Sequence, residues 1–140
     1  MTSPISLHPR LEQDTIALAR SDLGELRLMK KSVVPWLILI PNTACTELHE
    51  LDESLYHQIM AQVQDLSSRL KQVFNADKIN VAAIGNAVPQ LHLHMVCRYQ
   101  TDPAWPGVIW GWPVSEGSTI DVNSIQERIR PHLPDTFTPS

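Results

Sequence analysis

The sequence predicts an α+β chain, a mainly antiparallel sheet with one long helix and a short C-terminal helix, on three observations. The apolar run Trp36-Leu37-Ile38-Leu39-Ile40 is bounded by Pro35 and Pro41. Apolar residues recur at three- and four-residue steps from Leu55 to Val73, the stripe of one helical face. Two strand-like segments then follow, joined by a short loop with Gly85, which suggests an antiparallel hairpin.

A length of 140 residues suits a single domain, 1–140, able to bury about two-thirds of its unfolded surface without disulfide or metal. The apolar fraction is 43%, and no run approaches the roughly 18 residues that cross a bilayer, so no membrane partner is expected. The first ten residues have neither a basic start nor a continuous apolar stretch; no secretory leader is read there, and a cytoplasmic location is expected. Cys45 and Cys97 lack metal-like spacing, and two free thiols are expected in a reducing compartment. A net charge of −4 and a pI near 5.8 argue against a nucleic-acid polymer, whose phosphates require clustered Lys and Arg. A small phosphate ligand needs only a local site.

Residues 1–14 hold two prolines and no clear period, which predicts an irregular, loosely packed arm with a short helical turn near Leu11. Residues 15–19 suit a short strand, with Gly24 in the turn that follows. Alternation over residues 25–31 predicts a half-exposed strand, and residues 36–40 a buried central one. A helical region starts at Thr46, first as a short turn through Leu51, then as a long helix. Asp52 is its N-cap, because a carboxylate there accepts otherwise unpaired amide hydrogens, and Asn75 is its stop. Residues 79–84 and 90–99 form the hairpin strands. The Trp-rich tail, 100–140, carries Trp105, Trp110 and Trp112, too aromatic for a disordered linker, and ends in a short helix at residues 123–130 capped by Asn123 or Ser124.

Chemistry concentrates in Gly85-Asn86-Ala87-Val88-Pro89-Gln90-Leu91-His92-Leu93-His94-Met95-Val96-Cys97-Arg98. A strand sends alternate residues to one face, so Gln90, His92, His94 and Arg98 would share a face while Leu91, Leu93, Met95 and Cys97 line the core. A core has no need of that polar row. Gln-Leu-His-Leu-His-Met-Val resembles the histidine triad (HIT) motif, three histidines separated by apolar residues, with Gln90 in place of the first histidine. The glycine loop before it and the arginine after it resemble the family too, and the likeness spans residues 26–99.

The resemblance implies a HIT-like fold and a homodimer paired through the sheet edge and the long helix. It implies a nucleotide hydrolase acting on a phosphoanhydride or related bond, with a small nucleotide such as a dinucleoside polyphosphate, diadenosine tetraphosphate among them, as partner and no cofactor. His92 would be the nucleophile that takes a nucleotidyl group covalently and passes it to water, and His94 would orient His92 and contact the phosphate. Asn86 and Arg98 would bind substrate phosphate. Residue chemistry agrees that a histidine attacks well when a carbonyl holds one ring N–H and frees the other nitrogen.

This chain departs from the family at several positions. Gln90 donates and accepts hydrogen bonds but has no proton that titrates near neutrality, which leaves a catalytically weakened nucleotide-binding module as the alternative. Ala87 replaces a common Ser or Thr, residues 28–32 hold no acidic ribose contact, and Trp36 stands where relatives carry a further histidine. Competing readings stand beside each site residue: Asn86 as a turn former, Arg98 as a strand-end cation reaching solvent, and His92 with His94 as two metal ligands lacking the further Cys or His of structural zinc. His8, His49, His57 and His132 read as surface residues, Lys30-Lys31 as a solvated pair, and the tryptophans as dimer or C-terminal packing.

Overall fold

The apolar run of residues 36–40 becomes the middle of the sheet. In the computed structural model, which describes residues 5–140, strand β3 (Trp36–Pro41) pairs antiparallel with β2 (Gly24–Met29) on one side and β5 (Leu93–Arg98) on the other. Outside these lie β1 (Thr15–Ser21) and β4 (Lys78–Ala82), and β6 (Thr138–Pro139) adds to β1. The order is β4-β5-β3-β2-β1-β6, antiparallel throughout. Cross-strand register aligns Ala82, His94, Ile38, Arg27 and Ala17 in one row across the sheet. A histidine and an arginine are thereby placed on the face away from the main core.

The other face is covered by helix α2 (Glu53–Val73), whose N-cap Asp52 accepts a 2.8 Å hydrogen bond from the Leu55 amide as expected. A 3-10 turn, Leu48–Glu50, precedes it. Ile59, Val63, Leu66 and Leu70 are buried against Leu26, Leu28, Leu37, Leu39, Leu93 and Met95, each large side chain contributing about 1.5–3 kcal/mol of hydrophobic stabilisation. The helix ends where Asn75 takes φ of 50°, a left-handed value that Asn tolerates better than most side chains.

The arm is more ordered than its composition suggests. Residues 1–4 lie outside the described part, but Pro9–Asp14 form helix α1, with proline in its first turn, and Leu11 is buried with Ile38, Ile40 and Val88. This cover corrects the expectation for β2, whose residues are buried or half-buried. Arg27 is enclosed, donating to Thr15 Oγ1 at 2.6 Å and to Glu25 Oε2 at 3.0 Å. Strand β5 starts at Leu93 rather than residue 90, because residues 83–92 follow an irregular path. The last helix, α3, spans Val122–Ile129 and is capped by Asp121, two residues before Asn123 and three before Ser124, because its carboxylate accepts from the Asn123 amide and the Ser124 hydroxyl. Gln126 of α3 donates to the Ala17 carbonyl at 2.8 Å, and the Ser140 amide donates to Leu18 O at 2.9 Å. Both cysteines are free; burial pushes the Cys97 thiol up to about 12, which makes it inert at neutral pH. No helix among the described residues is long and apolar enough to cross a membrane.

At the end of β5, Arg98 forms an ion pair with Asp102, 3.0 Å from Nε to Oδ2, with side-chain exposures of 2% and 3%. The same carboxylate accepts from the amides of Tyr99, Ala104 and Trp105, and Asn80 Oδ1 accepts from Arg98 Nη1. Burial alone would raise the Asp102 pKa, but the hydrogen bonds and charge of Arg98, with the Tyr99 and Ala104 amides, hold it below the usual carboxylate range. A depressed carboxylate stabilises the fold above its unfolded pKa of about 4 and loses that contribution as pH falls through the folded value. Asp102→Ala will therefore lower the unfolding free energy by about 3–5 kcal/mol at pH 7, leaving a buried arginine alone. Urea titrations checking this should also show the gap from wild type narrowing in acid below pH of about 4.

Candidate active site

The site begins with a backbone turn. Gly85 adopts φ of 64°, where a side chain would be strained, and Val88 anchors the following loop by burial among the α1 contacts. Between Val88 and β5 the chain is irregular, and this frees the peptide carbonyls of the segment from ladder pairing. One of them is used at once: the Gln90 carbonyl lies 2.6 Å from His92 Nδ1. A carbonyl only accepts, so Nδ1 carries the proton and the lone pair of His92 sits on Nε2. His92 lines a cavity of about 220 Å³ with Thr46, His49, Gly85, Pro89 and Leu91 among its walls.

His94, on β5, lies beside it with ring centroids 4.9 Å apart and edge-to-face. Its Nδ1 is 2.9 Å from the indole Nε1 of Trp36, and the rings of Trp36 and Trp110 each lie 5.6 Å from its own. Burial, then the neighbouring His92, lowers the His94 pKa to about 4, so this ring is neutral at pH 7. Between pH of about 6.5 and about 4 the unfolded chain binds a proton here that the folded chain refuses, so stability falls as pH falls through that window.

Gln90 does two things with one residue. While its backbone orients His92, its side-chain Oε1 accepts from the His8 amide at 2.8 Å and its Nε2 donates to the Ser6 carbonyl at 3.1 Å. The amide thus holds the arm. It also stands in the wall between the His92 cavity and a second one of about 660 Å³ under the arm, lined by Ile5, Leu7, Arg20, Arg27 and Ile40 among others.

The expected polar row is only partly assembled. His94 and Arg98 lie on the same face of β5, but Arg98 is turned into its buried pair with Asp102 and Asn80. The expectation of a phosphate-binding Arg98 is corrected on that ground, and so is the alternative of a cation reaching solvent: both arms of the guanidinium are taken by protein acceptors. Asn86 is exposed in the loop, and its neighbour Gly85 forms the cavity wall. Two residues were missed. Trp36, noted only as a departure, is the hydrogen-bond partner of His94 from 58 positions away. His49, read as a surface residue, is exposed yet faces the same cavity as His92; the Leu48–Glu50 turn between β3 and α2 carries it there, and its sequence neighbourhood shows no periodicity that would have indicated this.

Comparison with other proteins bears on the family and the fold. The HIT domain profile matches residues 10–101, and the chain belongs to the HIT domain family. Three solved structures of similar size share its fold. A histidine triad protein from Marinobacter aquaeolei is 38% identical with a TM-score of 0.85, covering 96% of this chain and 99% of its own. One from Sinorhizobium meliloti is 35% identical with a TM-score of 0.84 over 91% and 96%. One from Bradyrhizobium japonicum is 38% identical with a TM-score of 0.81 over 91% and 94%. No curated protein matches the chain.

The double use of Gln90 generates a prediction. Gln90→Ala removes two hydrogen bonds worth about 0.5–1.5 kcal/mol each, so the arm should open more often and the His8 amide should exchange with deuterium about tenfold faster or more. Exchange at β3 amides serves as the internal control and should not change.

Proposed function

We propose that the chain is a HIT-type nucleotide hydrolase that cleaves a phosphoanhydride or related bond, with a dinucleoside polyphosphate such as diadenosine tetraphosphate as the candidate substrate, through a covalent nucleotidyl-His92 intermediate. The observation that carries this reading is the 2.6 Å contact between His92 Nδ1 and the Gln90 carbonyl in a ring that lines a cavity. Nε2 attacks phosphorus, the bond from phosphorus to the leaving oxygen breaks, and the departing phosphate takes up a proton. The ring gains positive charge in that step, and the Gln90 carbonyl, accepting the Nδ1 proton, stabilises it. Water then attacks the same phosphorus and releases a proton to solvent, the phosphorus–nitrogen bond breaks with its electron pair returning to Nε2, and His92 is regenerated as the free imidazole. Asn86 is proposed to contact substrate phosphate from the loop, and no cofactor takes part.

A second reading, a nucleotide-binding module with weakened turnover, draws on one observation: the Gln90 amide is committed to the arm and carries no titratable proton for a leaving group. The two readings part in a labelling experiment. Substrate labelled at the α-phosphate should transfer label to His92 in an acid-labile bond, and His92→Asn should abolish label and lower turnover at least about 10³-fold with binding largely retained. His94→Asn should lower turnover about 10²-fold while leaving some label, since it removes a donor and not the nucleophile. Steady turnover by His92→Asn would assign the attack to water or another residue; tight nucleotide binding with no label in wild type would select the binding module.

We further propose a cytoplasmic homodimer paired through the β4 edge and α2. Support comes from β4 being an edge strand with Val81 45% exposed, followed by Ile84 at 40%. Sedimentation at tens of micromolar protein should show a dimer, and Val81→Lys should shift it toward monomer; a wild-type monomer removes the proposal.

A further inference from the structure

Trp36 and His94 come from neighbouring strands, and their contact is polar as well as aromatic. An indole nitrogen is a donor only, so at 2.9 Å the Nδ1 of His94 must be the acceptor. A neutral imidazole carries one proton, which then sits on Nε2. His92 has the opposite arrangement, Nδ1–H against the Gln90 carbonyl.

We infer that Trp36 is a positioning residue that locks His94 as its Nε2–H tautomer, so that two adjacent imidazoles present one lone pair, from His92, and one hydrogen, from His94. Its catalytic meaning rests on the hydrolase reading; the tautomer itself does not. Three features support the lock. His94 is 6% exposed, so an Nδ1 lone pair without a partner would carry the full cost of a buried unsatisfied acceptor. Edge-on contacts with Trp36 and Trp110 fix the plane of the ring, and Trp36 itself is braced by Trp110 at 5.7 Å. Finally, a protonated ring would place an Nδ1 hydrogen against the indole hydrogen, an arrangement disfavoured further by burial, which keeps the neutral form through neutral pH.

Two consequences follow for the chemistry. His94 donates a hydrogen bond of constant character to a phosphoryl oxygen across neutral pH and does not shuttle protons. The pair is also a poor metal chelator: two lone pairs on one side are needed to bind zinc with both rings, and the lock leaves one.

Long-range proton–nitrogen correlation spectra of the full chain labelled at histidine nitrogens, recorded at pH 7 without ligand, test this directly. Wild type should show Nδ1–H for His92 and Nε2–H for His94; an Nδ1–H His94 in wild type overturns the inference with no mutation involved. Trp36→Phe keeps an aromatic ring and removes the donor. His94 should then become a mixture of tautomers, zinc affinity by titration calorimetry should rise at least tenfold, and kcat should fall at least tenfold with KM changed less than threefold. Retention of pure Nε2–H with unchanged zinc affinity in Trp36→Phe would assign the lock to another group and sink the proposal. Wild-type tautomers as stated, in a protein that turns over no nucleotide, would instead remove the hydrolase reading and leave the lock standing.

Discussion

The placement of the aromatic tail depends on the buried pair of Arg98 and Asp102. Removing two charges from water costs several kcal/mol per ion, and the interaction repays that only when the remaining lone pairs and protons are answered. Here they are: Asp102 gathers Arg98 and three backbone amides, and Arg98 reaches Asn80 while lying 5.8 Å from the Trp105 ring centre. Such a saturated cluster tolerates one backbone path. It bends the chain back after β5, so that Ala104 and Ile109 bury against Val34 and Val96, with Trp110 beside them at the edge of His94. A charge pair outside the lining of the His92 cavity thus fixes an aromatic neighbour of His94.

A similar economy governs Gln90. Its amide accepts from one backbone N–H and donates to a carbonyl two residues earlier in the arm, as a peptide group of a pairing strand would. The arm is held by what amounts to one extra peptide unit, and the same residue's own peptide carbonyl sets the tautomer of His92. Arm position and the orientation of His92 are therefore mechanically joined, with α1 and Leu11 adding an apolar anchor behind them.

Local periodicity made β3 and α2 legible, because a proline-bounded apolar run and a helical stripe need no knowledge of distant residues. The orientation of His92 was not legible, although its partner carbonyl is only two residues away: the segment reads as regular strand, and only its irregular path before β5 brings the Gln90 carbonyl to the ring. What escaped the sequence depended on contacts between remote segments. The helical turn near Leu11 was legible but its tight packing was not, because the six residues of α1 are too few to show an amphipathic period and only the sheet beneath Leu11 gives them a buried side. Arg98 reads as a free cation until the tail folds back and brings the Asp102 carboxylate to it. Trp36 and His94 meet only because β3 and β5, far apart in the chain, pair in register. Strand β6 has two residues and no pattern at all.

That short strand changes what the sheet can do at its two margins. Thr138–Pro139 pairs with Ala19 and Arg20, Ser140 and Gln126 take the carbonyls of Leu18 and Ala17, and proline offers no N–H to a newcomer. The opposite margin, β4, has no such cover among the described residues. A sheet with one sealed and one open side has a polarity for self-association: strand addition at β4 is satisfied once a second copy joins, leaving a sealed margin at each end. Under the proposed pairing through β4, growth by edge-to-edge addition would stop at two chains and not run on into a filament.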